Sequence, residues 1–139
     1  MSVMGLKKRL EFYTFFISDE KDNGEPEFTP VQGEPIIFDC CPDYLFFIHK
    51  LDGLWFVNEA TTGATVYIYG SNTKKEALKK AEEVLSKKDD LEIRDAIQVN
   101  QDAGFKTPIP DETIQRIIKA IKMGLKTVPE PKKNLRAII

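Results

Sequence analysis

The chain has 139 residues, of which 42% are hydrophobic and 30% are charged, and its formal net charge is −2. This length and composition indicate one globular domain and exclude a disordered chain, a collagen and a coiled coil. The apolar runs are far shorter than the roughly 20 residues of a transmembrane helix, and no secretory signal is recognisable, so we expect a cytoplasmic protein with no membrane contact.

The charges are distributed unevenly along the chain. Residues 1–70 contain five basic and eleven acidic residues, whereas residues 113–139 contain seven basic residues and one acidic residue. Such asymmetry is typical of tails that contact nucleic acid or an acidic protein. It is equally compatible with solvated helix and tail charges, which is the interpretation we prefer.

The two cysteines are adjacent, Cys40–Cys41, within the sequence DCCPD. Neighbouring cysteines would close a strained eight-membered ring, so we expect no structural disulfide. Two thiols and one histidine without a CxxC motif do not make a zinc site. We therefore predict reduced, structural cysteines in a reducing compartment, with neither a metal nor a cofactor.

Alternating residues in the segment RLEFYTFFI, residues 9–17, predict the first strand. One face would carry Leu10, Phe12, Thr14 and Phe16, and the other Glu11, Tyr13 and Phe15. Next, Asn23–Gly24 signals a turn, and prolines at 26, 30 and 35 indicate a surface loop or an edge hairpin, because proline cannot donate to a ladder. Ile36–Phe38 predicts a short strand before DCCPD turns the chain.

The clearest prediction is a three-stranded antiparallel meander in the middle of the chain. Asp52–Gly53 lies between Leu51 and Leu54 and favours a type I′ turn, because that turn needs positive φ at both central positions. Thr62–Gly63 predicts the second turn. The three predicted strands are residues 44–51, 54–60 and 64–70.

Two helices are predicted in the C-terminal half. Thr73 with Glu76 forms a capping box at the start of the first helix, whose apolar stripe contains Ala77, Leu78, Ala81, Val84 and Leu85. Pro110 opens the second helix and Gly124 lies near its end. Its stripe contains Ile114, Ile117, Ile118, Ile121 and Leu125. Between the helices, the alternation in residues 91–99 predicts a strand.

These elements predict an α+β fold: an antiparallel sheet that contains the three-stranded meander, packed with two helices in the C-terminal half. We assign residues 1–126 to a single domain. Residues 127–139 are predicted to be a proline-stiffened basic tail with an apolar tip.

Two-residue turns fix the register of the meander, and residues that lie opposite one another share a face. The first face, which we predict to be core beneath the first helix, contains Tyr44, Phe46, Ile48, Trp55, Val57, Val66 and Ile68. The second face contains Leu45, Phe47, His49, Leu51, Leu54, Phe56, Asn58, Tyr67 and Tyr69. A three-residue second turn would reverse the direction of both tyrosines.

The second face is a candidate ligand or partner surface, because aromatic rings with a few polar groups are typical of binding patches. Its cross-strand rows supply the candidates, which are Phe47, His49, Phe56, Asn58, Tyr67 and Tyr69. The alternative, which we prefer for most of this face, is cover by the N-terminal strands and the second helix.

Two further candidates concern phosphate groups. The turn before the first helix, with Ser71, Asn72, Thr73, Lys74 and Lys75, could hold a phosphate at the helix N-terminus, although capping alone also explains it. A basic strip on and after the last helix could contact nucleic acid, or could be a solvated face. The strip consists of Arg116, Lys119, Lys122 and Lys126.

The sequence contains no GxSxG, HExxH, P-loop or GxGxxG motif and only one histidine, so we do not expect an enzyme. The leading hypothesis is a small binding protein that masks a protein partner or sequesters a small ligand. Such a protein would be an accessory or inhibitor protein of the phage or mobile-element kind, and we expect a homo-oligomer. The alternative is binding of nucleic acid or nucleotide phosphate through residues 70–80 and the basic C-terminus.

Two local resemblances concern residues 46–85. The order of three strands and a helix, with a polar turn and KEAL at the helix start, resembles half of the antitoxins of HicA–HicB-type pairs, which implies binding to an RNA-cleaving toxin. No DNA-binding domain is recognisable after it. The same stretch is similar to double-stranded-RNA-binding domains, in which a basic KKxAK follows the third strand. Lys74, Lys75 and Ala77 match that pattern, whereas Leu78 stands where the family has its third lysine.

Overall fold

Six strands and three helices make up the described part of the chain, which in this computed structural model comprises residues 8–9, 13–125 and 127–128. In chain order they are β1 (Lys8–Arg9), β2 (Tyr13–Glu20), β3 (Pro26–Ile36), β4 (Phe46–Leu51), β5 (Leu54–Glu59), α1 (Lys74–Ser86), α2 (Asp90–Asp102), α3 (Asp111–Lys122) and β6 (Thr127–Val128). β2, β3, β4 and β5 form one antiparallel sheet in that order, and β1 pairs with β6. The sheet and the C-terminal helices confirm the α+β class.

The proline-rich segment forms a hairpin with β2. Gly24 takes a φ of +84° in the connecting turn, and the ladder runs from Tyr13↔Gly33 to Glu20↔Pro26. Residues 26–33 of β3 pair with β2, whereas residues 34–36 pair with β4. In these ladders Pro26 and Pro30 therefore have a strand on one side only, which accommodates the missing N–H groups.

The predicted limits of the N-terminal strands need correction. β3 ends at Ile36, so the separate strand predicted for Ile36–Phe38 is wrong. Leu10, Glu11 and Phe12 of the first predicted strand lie outside the described residues.

β3 changes its pairing partner from β2 to β4 immediately after Gly33. A Cβ atom on this glycine would lie 2.8 Å from Cδ2 of Phe47 and 3.2 Å from Cδ2 of Phe15. These two rings stack with centroids 4.5 Å apart and planes 2° apart. The β2–β3 hairpin thus covers one face of β4, and the Ser18 N–H closes the arrangement by donating to the Gly63 carbonyl at 3.2 Å.

The β4–β5 hairpin has the predicted turn and register. Asp52 and Gly53 take φ values of +51° and +83°, as a type I′ turn requires. Leu51 pairs with Leu54, and the ladder continues to Phe46↔Glu59.

The predicted strand over residues 64–70 is wrong. This segment pairs with β5 only at two isolated bridges, Asn58↔Thr65 and Trp55↔Ser71. Between the two bridges β5 advances three residues and the opposing segment six, so the extra residues bulge away from the sheet edge. The turn before the segment is also longer than two residues, because the Gly63 N–H donates to the Glu59 carbonyl at 2.8 Å.

α1 begins at the predicted cap and packs as the sequence predicted, but only the Thr73 half of the predicted capping box is present among the described hydrogen bonds. The Thr73 hydroxyl accepts a hydrogen bond from the Glu76 N–H at 3.1 Å. The helix covers the first face of the β4–β5 hairpin, where the buried cluster contains Phe46, Ile48, Val57, Ala77, Ala81 and Leu85. Ile68, which was predicted to belong to this face, is instead exposed.

α2 occupies the segment that was predicted to be a strand, and this prediction is wrong. The Asp89 carboxylate accepts from the Glu92 N–H, and the Glu92 side chain accepts from the Asp89 N–H, which forms a reciprocal capping box. Ile93 and Ile97 are four residues apart and so lie on one helix face towards the core, while Leu91 and Val99 are exposed. The apolar residues of this segment alternate as in a strand, but the spacing of Ile93 and Ile97 also fits the period of a helix.

α3 covers the second face of the hairpin. Pro110 precedes its first turn and Gly124 takes a φ of +71° just after its end, as predicted. Its buried isoleucines pack in a cluster with β2 and β4 that contains Phe15, Leu45, Phe47, Ile114, Ile117 and Ile118. Among the described residues, no helix is long and apolar enough to cross a membrane.

Phe47→Ala should lower the free energy of unfolding by about 3–5 kcal/mol, because it leaves a cavity beneath Phe15 and α3. The control is Phe28→Ala, which removes a partly exposed ring opposite Ser18 and should cost less than about 1.5 kcal/mol. Chemical denaturation measures both values. Equal losses would contradict a core centred on the Phe15–Phe47 stack.

Asp89→Ala should lower the free energy of unfolding by about 1 kcal/mol through loss of the α2 cap. The matched control is Asp95→Ala in the exposed middle of the same helix, which should change stability by less than about 0.5 kcal/mol. Amide hydrogen exchange should show faster exchange in the first turn of α2 in the first variant only. Unchanged exchange there would contradict the cap.

Candidate functional site

Most of the second face is buried by the fold itself. Phe47 lies under α3 and β2, and His49 and Asn58 are only 3% and 1% exposed. Phe56 is half-buried. At these four positions the structure shows the intramolecular cover that was the preferred alternative, so their side chains do not form an open surface.

Asn58 is the hub of a buried polar network. Its Nδ2 donates to the Gly63 carbonyl at 2.8 Å and to the Thr65 hydroxyl at 3.0 Å, and its Oδ1 lies 2.8 Å from Nε2 of His49. Because the amide nitrogen serves the two oxygens, Oδ1 must accept and Nε2 of His49 must carry the proton. Asn58 thus ties β4 and β5 to the turn that carries Gly63.

His49 is held neutral by its surroundings. Burial lowers its pKa below the ordinary 6.5, and the hydrogen bond to Asn58 opposes this shift only in part. The second ring nitrogen, Nδ1, is buried and has no hydrogen-bond partner among the described residues. A proton added there would be buried and unpaired, which explains why the neutral form is favoured.

Tyr67 and Tyr69 do not join the predicted rows. Gly70, with a φ of +70°, sits against the Phe56 ring, where a Cβ would lie 2.8 Å from Cζ. The tyrosines instead belong to the bulge beside α1, where Nζ of Lys80 lies 5.8 Å from the Tyr67 ring centroid. The predicted cross-strand pairs His49–Phe56 and Phe47–Asn58 are confirmed by the β4–β5 ladder. The predicted extension of these rows to Tyr69 and Tyr67 is wrong, because the longer connection changes the direction of residues 67–69.

Residues 67–69, which we call the aromatic loop, form an exposed apolar surface. Ile68 is 70% and Tyr69 is 73% exposed. The rings of Tyr67 and Tyr69 meet edge to face with centroids 5.5 Å apart. The loop therefore presents adjacent aliphatic and aromatic side chains to solvent.

The candidate phosphate residues are placed together but are largely engaged in the fold. Ser71 is buried and exchanges two backbone hydrogen bonds with Trp55, at 2.8 and 3.0 Å. The Thr73 hydroxyl caps α1, and Lys74 forms an ion pair with Glu34. Only Asn72 and Lys75 remain as exposed side chains without a described polar contact.

The basic strip on α3 is partly neutralised. Arg116 lies 3.6 Å from a carboxylate oxygen of Glu112, and Lys122 lies 3.9 Å from one of Asp43. Lys119 is exposed, and Lys126 lies outside the described residues. Two of the three described members thus have acidic partners.

Sequence reasoning missed a buried carboxylate, Glu59, at the end of β5. Its oxygens accept hydrogen bonds from the N–H and hydroxyl groups of both Thr61 and Thr62, over 2.7–2.9 Å. Burial raises its pKa although these four groups favour the ionised form. The signal in the sequence was Glu59, which is followed, after Ala60, by two threonines. Because the turn already saturates the carboxylate, we interpret Glu59 as a structural group.

A groove of about 210 Å³ lies beside Glu59 between α2 and α3, lined among others by Arg94, Gln98, Gln101 and Gln115. It offers amide and guanidinium groups to a small polar molecule. In the described residues no group of three or more His, Cys, Asp or Glu side chains is placed to hold a metal ion.

The contribution of His49 to the free energy of unfolding should fall as the pH drops below about 6.5, because His49 then binds a proton in the unfolded chain but stays neutral in the folded chain. This contribution has a limiting slope of about 1.4 kcal/mol per pH unit. Glu59 acts in the opposite direction, since its raised folded pKa favours folding as the pH falls through it.

Denaturation of His49→Phe and Glu59→Gln from about pH 7.5 to pH 5 separates the two contributions. His49→Phe should lose less stability on acidification than the wild type, and Glu59→Gln should lose more, whatever their stabilities at neutral pH. A wild-type slope in His49→Phe would show that His49 titrates normally in the folded protein.

Comparison with known protein families, with curated proteins and with solved structures found no match to this chain. The local resemblances to the antitoxins and to the double-stranded-RNA-binding domains receive no support from these comparisons. The third strand that both require is also replaced by the bulged segment.

Proposed function

We propose that the chain is a non-enzymatic binding protein that recognises a protein partner through the aromatic loop. The observation that carries this proposal is the exposure of Ile68 and Tyr69, which stand side by side and are each at least 70% exposed. Tyrosine is enriched among the residues that contribute most to interfaces, and the exposed isoleucine beside it adds apolar contact area.

The aromatic loop is supported on both sides. Backbone bonds join Val66 to Val57 at 2.9 Å before the loop and Ser71 to Trp55 after it. Gly70 rests on the Phe56 ring, and Lys80 lies over Tyr67. A loop whose backbone is held at both ends loses less conformational entropy on binding, so its apolar surface contributes more to affinity.

The other exposed apolar residues form weaker candidates. Leu91 and Val99 lie eight residues apart on α2, and Met123 and Leu125, which line one groove after α3, are less exposed than Ile68 and Tyr69. Single exposed apolar side chains are ordinary at protein surfaces, whereas a contiguous patch marks an interaction site. This contrast favours the aromatic loop over α2 as the partner surface.

The binding proposal needs no reaction chemistry. A partner surface covered by the loop would be masked sterically, as in an accessory or inhibitor protein. The partner can also be a second copy of this chain. Phosphate recognition has less support, because Lys74, Arg116 and Lys122 each have a carboxylate partner. Fewer free cations mean fewer counterions released on binding nucleic acid.

Ile68→Asp and Tyr69→Ala should each weaken partner binding by about 30-fold or more, because each removes an interface anchor worth about 2 kcal/mol. The matched control is Val99→Asp, which places the same charge at an equally exposed apolar position on α2. The wild type and the variants are immobilised and used to capture partners from the source lysate. A captured protein is then purified and titrated against each variant, and sedimentation of each variant tests self-association.

All variants should keep the wild-type melting temperature, since the altered side chains are exposed. The titrations are repeated at high salt, where an apolar interface should persist and a phosphate contact should weaken steeply. Equal binding by Ile68→Asp and Val99→Asp would contradict the proposal. So would capture of nucleic acid alone.

A further inference from the structure

The adjacent cysteines form a second feature that the partner-binding proposal does not use. They lie in the turn between β3 and β4, with the two Sγ atoms 3.8 Å apart. Cys40 is exposed and Cys41 is buried, and both are free thiols. The turn is fixed by the Cys41 N–H, which donates to the Phe38 carbonyl at 3.0 Å, and by the Tyr44 N–H, which donates to the Cys41 carbonyl at 3.3 Å.

The spacing of the sulfurs matches a chelate and not a disulfide. Two sulfurs bound to one centre at about 2.3 Å lie about 3.8 Å apart at a tetrahedral angle and about 3.5 Å apart at the angle of about 100° of a three-coordinate pyramidal centre. A disulfide requires about 2.05 Å and would have to close a strained ring between neighbouring residues. The two sulfurs therefore need to approach each other by only a few tenths of an ångström to bind one pyramidal soft atom together.

The surroundings of the pair select the kind of soft atom. Among the described residues no third His, Cys, Asp or Glu completes a metal-binding group, whereas a structural zinc ion needs four protein ligands. A suitable centre must take two protein thiols and bring its remaining substituent with it. Trivalent arsenic, which is three-coordinate and strongly thiophilic, meets this requirement.

We propose that Cys40 and Cys41 form a bidentate binding site for trivalent arsenic compounds. This inference is independent of the aromatic loop and of any protein partner.

The reaction balances without an oxidant. With an organic arsine oxide, two S–H bonds and the arsenic–oxygen bond break, two As–S bonds form, and the oxygen leaves as water with both protons. Arsenic stays trivalent and keeps its organic group. Exposed Cys40 forms the first bond, and Cys41 closes the ring.

The environment of Cys41 is compatible with this order of events. Burial, together with its neighbours Cys40 and Asp90, raises the pKa of Cys41 to about 12, so Cys41 is a protonated thiol at neutral pH. The reaction consumes thiols and releases no net proton. Cys41 also packs in the apolar cluster with Phe38 and Phe46, which shields the second As–S bond from competing thiols in solution.

The probe for the test is phenylarsine oxide, added to the folded full-length chain and followed by intact-protein mass spectrometry. We expect one phenylarsenic group per chain, retained in excess 2-mercaptoethanol and removed by 2,3-dimercaptopropanol. Cys40→Ser and Cys41→Ala should each bind about 100-fold more weakly or worse, because the second bond of a chelate forms at high effective concentration.

The matched control keeps two thiols but separates them. In the double variant Cys40→Ser with Asn23→Cys, the new thiol lies in the exposed turn at the opposite end of β3. Its affinity should fall to that of Cys40→Ser alone. Wild-type affinity in the double variant would overturn the proposal.

The folded state is tested by the melting temperature with and without the probe. An unchanged or higher melting temperature supports a site in the native turn. A lower melting temperature, with an adduct that forms only as fast as the chain unfolds, would show that buried Cys41 is not accessible in the native protein and would overturn the proposal. Circular dichroism of Cys41→Ala establishes that the variant is folded before its affinity is compared.

Discussion

The stack of Phe15 on Phe47 across Gly33 is the contact on which the rest of the structure depends. It brings the β2–β3 hairpin over β4 and so forms one wall of the core that α3 completes. Only a residue without a side chain permits both rings to approach β3 at this point. β3 changes its pairing partner at the same position, from β2 to β4. The two hydrophobic clusters lie on opposite faces of β4, because successive side chains along a strand alternate between its faces.

The hydrogen bond between β2 and the turn after β5 lies next to the buried pair of His49 and Asn58. Asn58 joins His49, Gly63 and Thr65, and the Gly63 carbonyl also accepts from Ser18 of β2. One buried amide thereby holds strands that are distant in the sequence. Buried polar groups of this kind are costly unless they are paired. A proton on Nδ1 of His49 would have no partner among the described residues, so protonation would lower the stability of the sheet. The network also fixes the turn from which the bulged segment starts.

The surface that we propose for partner binding is a consequence of the same turn. Asn58↔Thr65 and Trp55↔Ser71 fix the ends of the segment against β5, and the surplus residues between them have no place in the ladder. Ile68 and Tyr69 therefore project into solvent although their composition is that of a buried strand. The cysteine turn lies at another connection, between β3 and β4, where the backbone is equally fixed. Both proposed sites are thus connections held by regular elements, a common position for binding residues.

The sequence by itself determined the features that depend on neighbouring residues: the Asp52–Gly53 turn, the Thr73 cap, the limits of α3, and the apolar faces that α1 and α3 cover. It also contained the Asp89–Glu92 capping signal, but the alternation of Leu91, Ile93, Ile97 and Val99 fits both a strand and a helix, so periodicity alone did not identify α2. Only the tertiary structure decided the direction of Tyr67 and Tyr69, the burial of His49 and Asn58, and the partners of Lys74 and Lys122. Each of these features depends on contacts between residues far apart in the chain or on the length of the bulge. One residue more or less in the bulge would turn the following side chains to the other face.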